Sequence, residues 1–125
     1  MQNDRSVPNE FGLLTLQVEA PGAGPRVVVA GELDALSGPA LHNAVNELLR
    51  QHQPSGIEIN LRNVSFLDSR GINVLLACHA DAQRAGCRLT VANPHPMAFR
   101  VLEITGLLDY LGVSQTDEAA QTSST

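Results

Sequence analysis

Val64-Ser65-Phe66-Leu67-Asp68-Ser69-Arg70-Gly71-Ile72-Asn73-Val74-Leu75-Leu76 is the stretch in which the hydrophobic period of the chain changes. Before it, Ile57, Ile59 and Leu61 alternate with Glu58, Asn60 and Arg62, the period of a strand with one buried and one wet face. After it, Gly71, Val74, Leu75, Cys78 and Ala82 recur at i, i+3, i+4, i+7 and i+11, the period of an amphipathic helix. Strand therefore gives way to helix at Asp68 and Ser69, and one of the two is the N-cap. The corner has two readings. Asp and Ser are ordinary caps; equally, the unpartnered N–H groups and positive dipole of a first helical turn favour an anion by about 0.3–1 kcal/mol. A phosphate on Ser69 would suit that place, and Gly71, without a Cβ, would leave room for a close approach.

Working outward, Leu14, Leu16 and Val18 alternate with Thr15, Gln17 and Glu19 as a first strand, and Arg26 to Ala30 form a second, antiparallel to it across a turn rich in Pro and Gly. Gly31-Glu32-Leu33-Asp34 follows. A helix then starts at about Pro39, capped by Ser37 or Gly38, with Leu41, Val45, Leu48, Leu49 and His52 on one face. Beyond the central helix, Cys87, Leu89 and Val91 mark another strand. Asn93-Pro94-His95-Pro96 opens a third helix, with Met97, Val101, Leu102 and Ile104 facing inward and Gly106 ending it. Leu107 to Val113 is expected to add a short last strand, and residues 116–120 a residual helical turn. Residues 1–10, polar and poor in apolar side chains, are expected to be a loose arm, and 114–125 a flexible tail around a domain at 11–113. Alternating strands and helices predict an α/β fold. The polar positions Glu58, Asn60, Arg62, Arg88 and Thr90 leave one sheet face wet, so the expected architecture is a mixed sheet of four to five strands with helices mainly on one face.

Phe66-Leu67-Asp68-Ser69-Arg70-Gly71, with Gly31-Glu32-Leu33-Asp34 before it and Leu102-Glu103-Ile104-Thr105-Gly106-Leu107 behind it, resembles the anti-sigma factor antagonists of the STAS domain family. The likeness runs from about Leu13 to Val113. It implies a protein that catalyses nothing. When unphosphorylated, such a protein binds an anti-sigma factor, usually an ATP-binding serine kinase, and frees the sigma factor that it held; the kinase phosphorylates the serine and a serine phosphatase reverses the mark. Carried over residue by residue, Ser69 would be the phosphorylation site, Asp68 its neighbour at the cap and Gly71 the clearance. Glu32 and Asp34 would belong to the partner-facing rim, with Arg70 and Asn73 beside the switch. Arg70 departs from the family pattern, standing where many relatives have a small residue. It is read either as a charge that steers the kinase or pairs with the phosphate, or as solvated surface. Asp34 keeps its plainer reading as a turn or cap. The alternative within the family is a non-switching STAS scaffold or a subunit of a lipid-transport or transporter-associated complex, in which Ser69 is a cap and nothing more.

Composition narrows the field. The chain has 125 residues, suited to one domain, and its formal net charge of −5 argues against direct nucleic-acid binding. All eight basic residues besides His are Arg, which excludes a P-loop lysine, a Schiff-base lysine and a lysine general base together. No secretory or membrane-spanning pattern is present, and a cytoplasmic protein without membrane insertion is expected. Cys78 and Cys87 are expected to be reduced core residues. Were Ser69 a nucleophile, His79 would be the base nearest along the helix, but ten residues is about 15 Å of rise. His42, His52 and His95 have no metal-ligand spacing around them, and no cofactor is expected.

Overall fold

Alternation decides which face of each strand is buried. The computed structural model describes residues 4–9, 12–20 and 24–115. Its strands are β1 (Asp4–Asn9), β2 (Gly12–Glu19), β3 (Arg26–Leu33), β4 (Gly56–Leu67) and β5 (Arg88–Ala92), and its helices are α1 (Gly38–His52), α2 (Ser69–Arg84) and α3 (Pro96–Ile104). The strands make one sheet in the order β1-β2-β3-β4-β5, antiparallel from β1 to β3 and parallel from β3 to β5. This is the mixed α/β sheet that the sequence predicts. Val27 and Val29 of β3, Ile57, Ile59 and Leu61 of β4, and Leu89 and Val91 of β5 are buried with Leu41, Val45, Leu48, Leu75, Cys78 and Leu102 of the helices in a single core. At about 1.5–3 kcal/mol for each fully buried aliphatic side chain, this core is the main stabilising term. Alternate strand positions are wetter. There Arg26 bridges Glu58 at 3.0 Å and Glu19 at 3.2 Å, linking β2, β3 and β4 across half-exposed groups.

The helices lock to one another as well as to the sheet. A Cβ on Gly38 would lie 2.4 Å from Val74 Cγ2, so the start of α1 sits directly on α2. Farther along, the carboxylate of Asp81 in α2 meets His42 Nε2 at 2.6 Å and accepts from Asn46 Nδ2 at 3.1 Å, both in α1, while Arg84 reaches its other oxygen. The His42 contact, foremost, holds the Asp81 carboxyl below the usual carboxylate range. Cys78 and Cys87 are free and buried, and burial with the nearby charge of Asp81 pushes the Cys78 thiol up to about 12.

Three expectations are corrected. Residues 1–10 are not a loose arm throughout: Asp4–Asn9 pair with β2 in register from Asp4↔Gln17 to Asn9↔Gly12. An edge strand is held by main-chain hydrogen bonds, for which polar composition and a proline are no bar. Leu107 to Val113 is not a strand but a series of turns, with Gly106 at φ +74° and Gly112 at φ +59°; it buries Leu111, and a single parallel bridge, Ala92↔Ser114, follows it. Ile104 does not face inward: it lies roughly 200° round the helix from Leu102 and is 72% exposed. Residues 116–125, with the expected residual helical turn, lie outside the described residues.

Candidate functional site

The parallel pairing of β3 with β4 brings two corners together. Glu32 is in register with Phe66 and Leu33 with Leu67, so the chain leaves neighbouring strands side by side, at Asp34 into α1 and at Asp68 into α2. Asp68 is the N-cap of α2, with extended backbone (φ −116°, ψ −172°). Its Oδ1 accepts the N–H groups of Arg70 at 3.0 Å and Gly71 at 2.9 Å, and its carbonyl accepts the Ile72 N–H at 2.9 Å. Ser69 is the first residue of the helix and is exposed, as are Arg70 and Asn73. The Arg70 guanidinium has no partner among the described residues.

Two details change the sequence-based picture of this corner. Gly71 is buried, and a Cβ there would lie 2.2 Å from the carbonyl oxygen of Leu33 and 2.9 Å from Leu67 Cδ1. The clearance that Gly71 provides is therefore filled by the end of β3 and is not open to a partner. The Asp68 carboxylate has also taken two of the first-turn amides that could have received a phosphate.

The neighbouring corner is tied inward. Asp34 Oδ1 accepts the N–H groups of Leu36 and Ser37, each at 3.0 Å. The Ser37 hydroxyl lies 2.6 Å from the Glu32 carbonyl and 3.1 Å from Asp34 Oδ1, and accepts the Asp34 N–H at 3.2 Å. The Ser37 N–H is the largest influence holding the Asp34 carboxyl below the usual carboxylate range. Asp34 is thus the keystone of its turn, whereas the Glu32 side chain is exposed. Ser37 precedes α1 as its N-cap, yet its hydroxyl turns back to the strand instead of capping the helix.

Sequence reasoning missed two exposed apolar side chains at this edge, Leu36 (57% exposed) and Phe66 (44% exposed). A signal for Phe66 was available: in Leu61, Val64 and Leu67 the apolar spacing stretches from two to three, which marks irregular strand, and the β3–β4 register does shift there. His79 does not join Ser69. Its ring packs against Tyr110 at 4.5 Å between centroids, and its buried Nδ1 has no hydrogen-bond partner among the described residues. Those residues also hold no group of His, Cys, Asp and Glu placed to bind a metal, and none of their helices is long and apolar enough to cross a membrane.

Comparison with known proteins bears on the same span. A family model described as "Mlab, STAS domain" matches residues 16–113. The chain belongs to the STAS domain family. This STAS domain is 31% identical over 93 residues to the anti-sigma-B factor antagonist of Bacillus subtilis (strain 168), covering 74% of the chain and 84% of the relative. It superimposes on the crystal structure of an anti-sigma factor antagonist from Mycobacterium paratuberculosis with a TM-score of 0.74 and 28% identity, covering 94% of this chain and 97% of that one. The anti-sigma factor antagonist SpoIIAA shares the fold: the unphosphorylated form gives a TM-score of 0.67 at 23% identity over 86% of this chain and 92% of the other. Its phosphorylated form gives 0.61. These relatives are named for antagonising another regulator, a binding role and not a catalytic one.

Proposed function

We propose that this STAS domain is an anti-sigma factor antagonist switched by phosphorylation of Ser69. In this reading it binds an anti-sigma factor with an ATP-binding serine kinase fold when unphosphorylated, releasing a sigma factor for transcription, and a serine phosphatase restores it. The observation that carries the reading is the exposed first-turn hydroxyl of Ser69 beside a carboxylate that already occupies the helix-terminal amides. A phosphate there brings roughly −1.5 to −2 charge next to Asp68, in a helical turn where the Arg70 and Gly71 amides are already taken. A partner seated on the corner must neutralise that charge or desolvate it unpaired, at a cost of several kcal/mol. Glu32, Asp68, Ser69, Arg70 and Asn73 form the contact rim, and Asp34 supports it from below.

Incubation with ATP and the cognate kinase, followed by intact mass, tests the proposal. One added phosphate is expected, absent in Ser69→Ala, together with a Ser69→Glu protein that no longer retains the kinase. An unmodified Ser69 and unimpaired binding by Ser69→Glu would favour the non-switching scaffold instead.

A further inference from the structure

The second half of β4 is longer than the stretch of β3 it pairs with. From Val28 to Leu33 β3 takes five steps, whereas β4 takes seven from Asn60 to Leu67. The pairing shifts twice to absorb the difference, once between Val28 and Ala30 and once between Gly31 and Glu32. The second inserted residue is Ser65, which falls between the pairs Gly31↔Val64 and Glu32↔Phe66. Side chains of β4 itself pin both shifts. Asn60 Oδ1 accepts the Arg62 N–H at 3.0 Å, and the exposed Ser65 hydroxyl donates to the Gly31 carbonyl at 3.3 Å. Gly31, between the two shifts, has φ +109°, a conformation that residues with a Cβ rarely adopt.

This irregularity decides how the two corners meet. Without the insertions Leu33 would face Ser65, and α2 would begin two residues, about 6–7 Å, farther beyond the end of β3. With them Leu33 pairs with Leu67, and Gly71 packs so closely on the Leu33 carbonyl oxygen that an added Cβ would lie 2.2 Å from it. Ser69 sits midway between Leu67 and Gly71 in the chain, so both of its flanks are fixed against the end of β3. Bulges next to functional sites serve to re-aim a side chain in this way.

We infer that Gly31 and the inserted residues of β4 form a levelling device that sets where the Ser69 hydroxyl is held, which makes Gly31 a positioning residue for its phosphorylation. The inference rests on the reading of Ser69 given above and deepens it. In that reaction the Ser69 oxygen bonds to the terminal phosphorus of ATP, the bond from that phosphorus to the ADP oxygen breaks, and the hydroxyl proton passes to a base of the kinase. Displacing the attacking oxygen by about 1 Å slows such a step by about 10²-fold.

The test uses the full chain and the purified ATP-binding kinase that phosphorylates it. Steady-state phosphorylation gives kcat and KM for wild type, Gly31→Ala, Ser65→Ala and Gly112→Ala. The last is a control, since it strains another positive-φ glycine, beside Thr90 and far from the corner. Thermal unfolding fixes a temperature at which each protein is folded. Gly31→Ala is expected to lower kcat by about tenfold or more and Ser65→Ala by about threefold, each with KM nearly unchanged, while Gly112→Ala keeps kcat within about twofold of wild type. Should Gly31→Ala not fold, Ser65→Ala decides, because it removes only an exposed hydroxyl. A kcat at the wild-type level in Ser65→Ala and in folded Gly31→Ala overturns the assignment, as does a loss carried by KM alone or an equal loss in Gly112→Ala; the Ser69 reading survives each of these. A wild-type chain that accepts no phosphate removes that reading, and the positioning role with it.

Discussion

The corners after β3 and β4 are built from the same residue types and use them in opposite ways. Each begins with an aspartate just beyond a register-paired leucine, each aspartate accepts two backbone N–H groups, and each has a serine close behind. At the first corner Ser37 is 4% exposed and its hydroxyl is engaged with Glu32 and Asp34. At the second, Ser69 is exposed and its hydroxyl has no protein partner among the described residues. The offset of the serine makes the difference: three residues after the aspartate it folds back beneath the turn, whereas one residue after, it projects from the first helical turn. Availability for modification is thus a matter of placement, not of residue type.

Substitutions break or sharpen this contrast, and urea denaturation midpoints measure them. Gly71→Ala should cost most, about 3 kcal/mol or more, because its Cβ would meet the immovable Leu33 carbonyl where the corners join. Ser37→Ala should cost about 1–3 kcal/mol, since the Glu32 carbonyl and the Asp34 N–H lose a buried partner. Asp68→Ala should cost about 1 kcal/mol, the usual worth of an N-cap. Acid tests the first corner and the α1–α2 contact together. Asp34 and Asp81 have lowered folded-state values, so their contribution is complete above the unfolded carboxylate value of roughly 3.9 and is lost as pH falls through the folded ones. Asp34→Asn and Asp81→Asn should each flatten that fall. Ser69→Ala should do least, within about 0.5 kcal/mol of wild type, so any loss of partner binding on its modification is not a loss of fold.

Most of the architecture was legible because the core writes itself in simple periods: Ile57, Ile59 and Leu61 for a strand, Val74, Leu75, Cys78 and Ala82 for a helix. The cap at Asp68 was legible for the same reason, as the residue where the period changes. What could not be read depends on neighbours distant in sequence. Gly71 looks like an opening until Leu33 is found in it. Ser37 looks like a helix cap until Glu32 and Asp34 are beneath it. β1 has no apolar signature because its pairing is made by the main chain, whereas the inward position expected of Ile104 failed on helical period alone, since it falls roughly 200° round α3 from Leu102. At the candidate site, sequence reasoning named the charged and hydroxyl groups and passed over Leu36 and Phe66, whose exposure is decided by tertiary packing.

The outer margins of the sheet have a consequence of their own. On one side β1 carries Pro8, which has no N–H to offer an incoming chain; on the other, Val91 of β5 exchanges backbone hydrogen bonds with Leu111 and Ser114, and Asn93, just past the strand, bonds to Ser114. A missing donor on one edge strand and an occupied stretch at the end of the other are features that blunt strand addition. Traffic with other macromolecules is thereby directed away from the ribbon's sides and toward the rim where its parallel strands end.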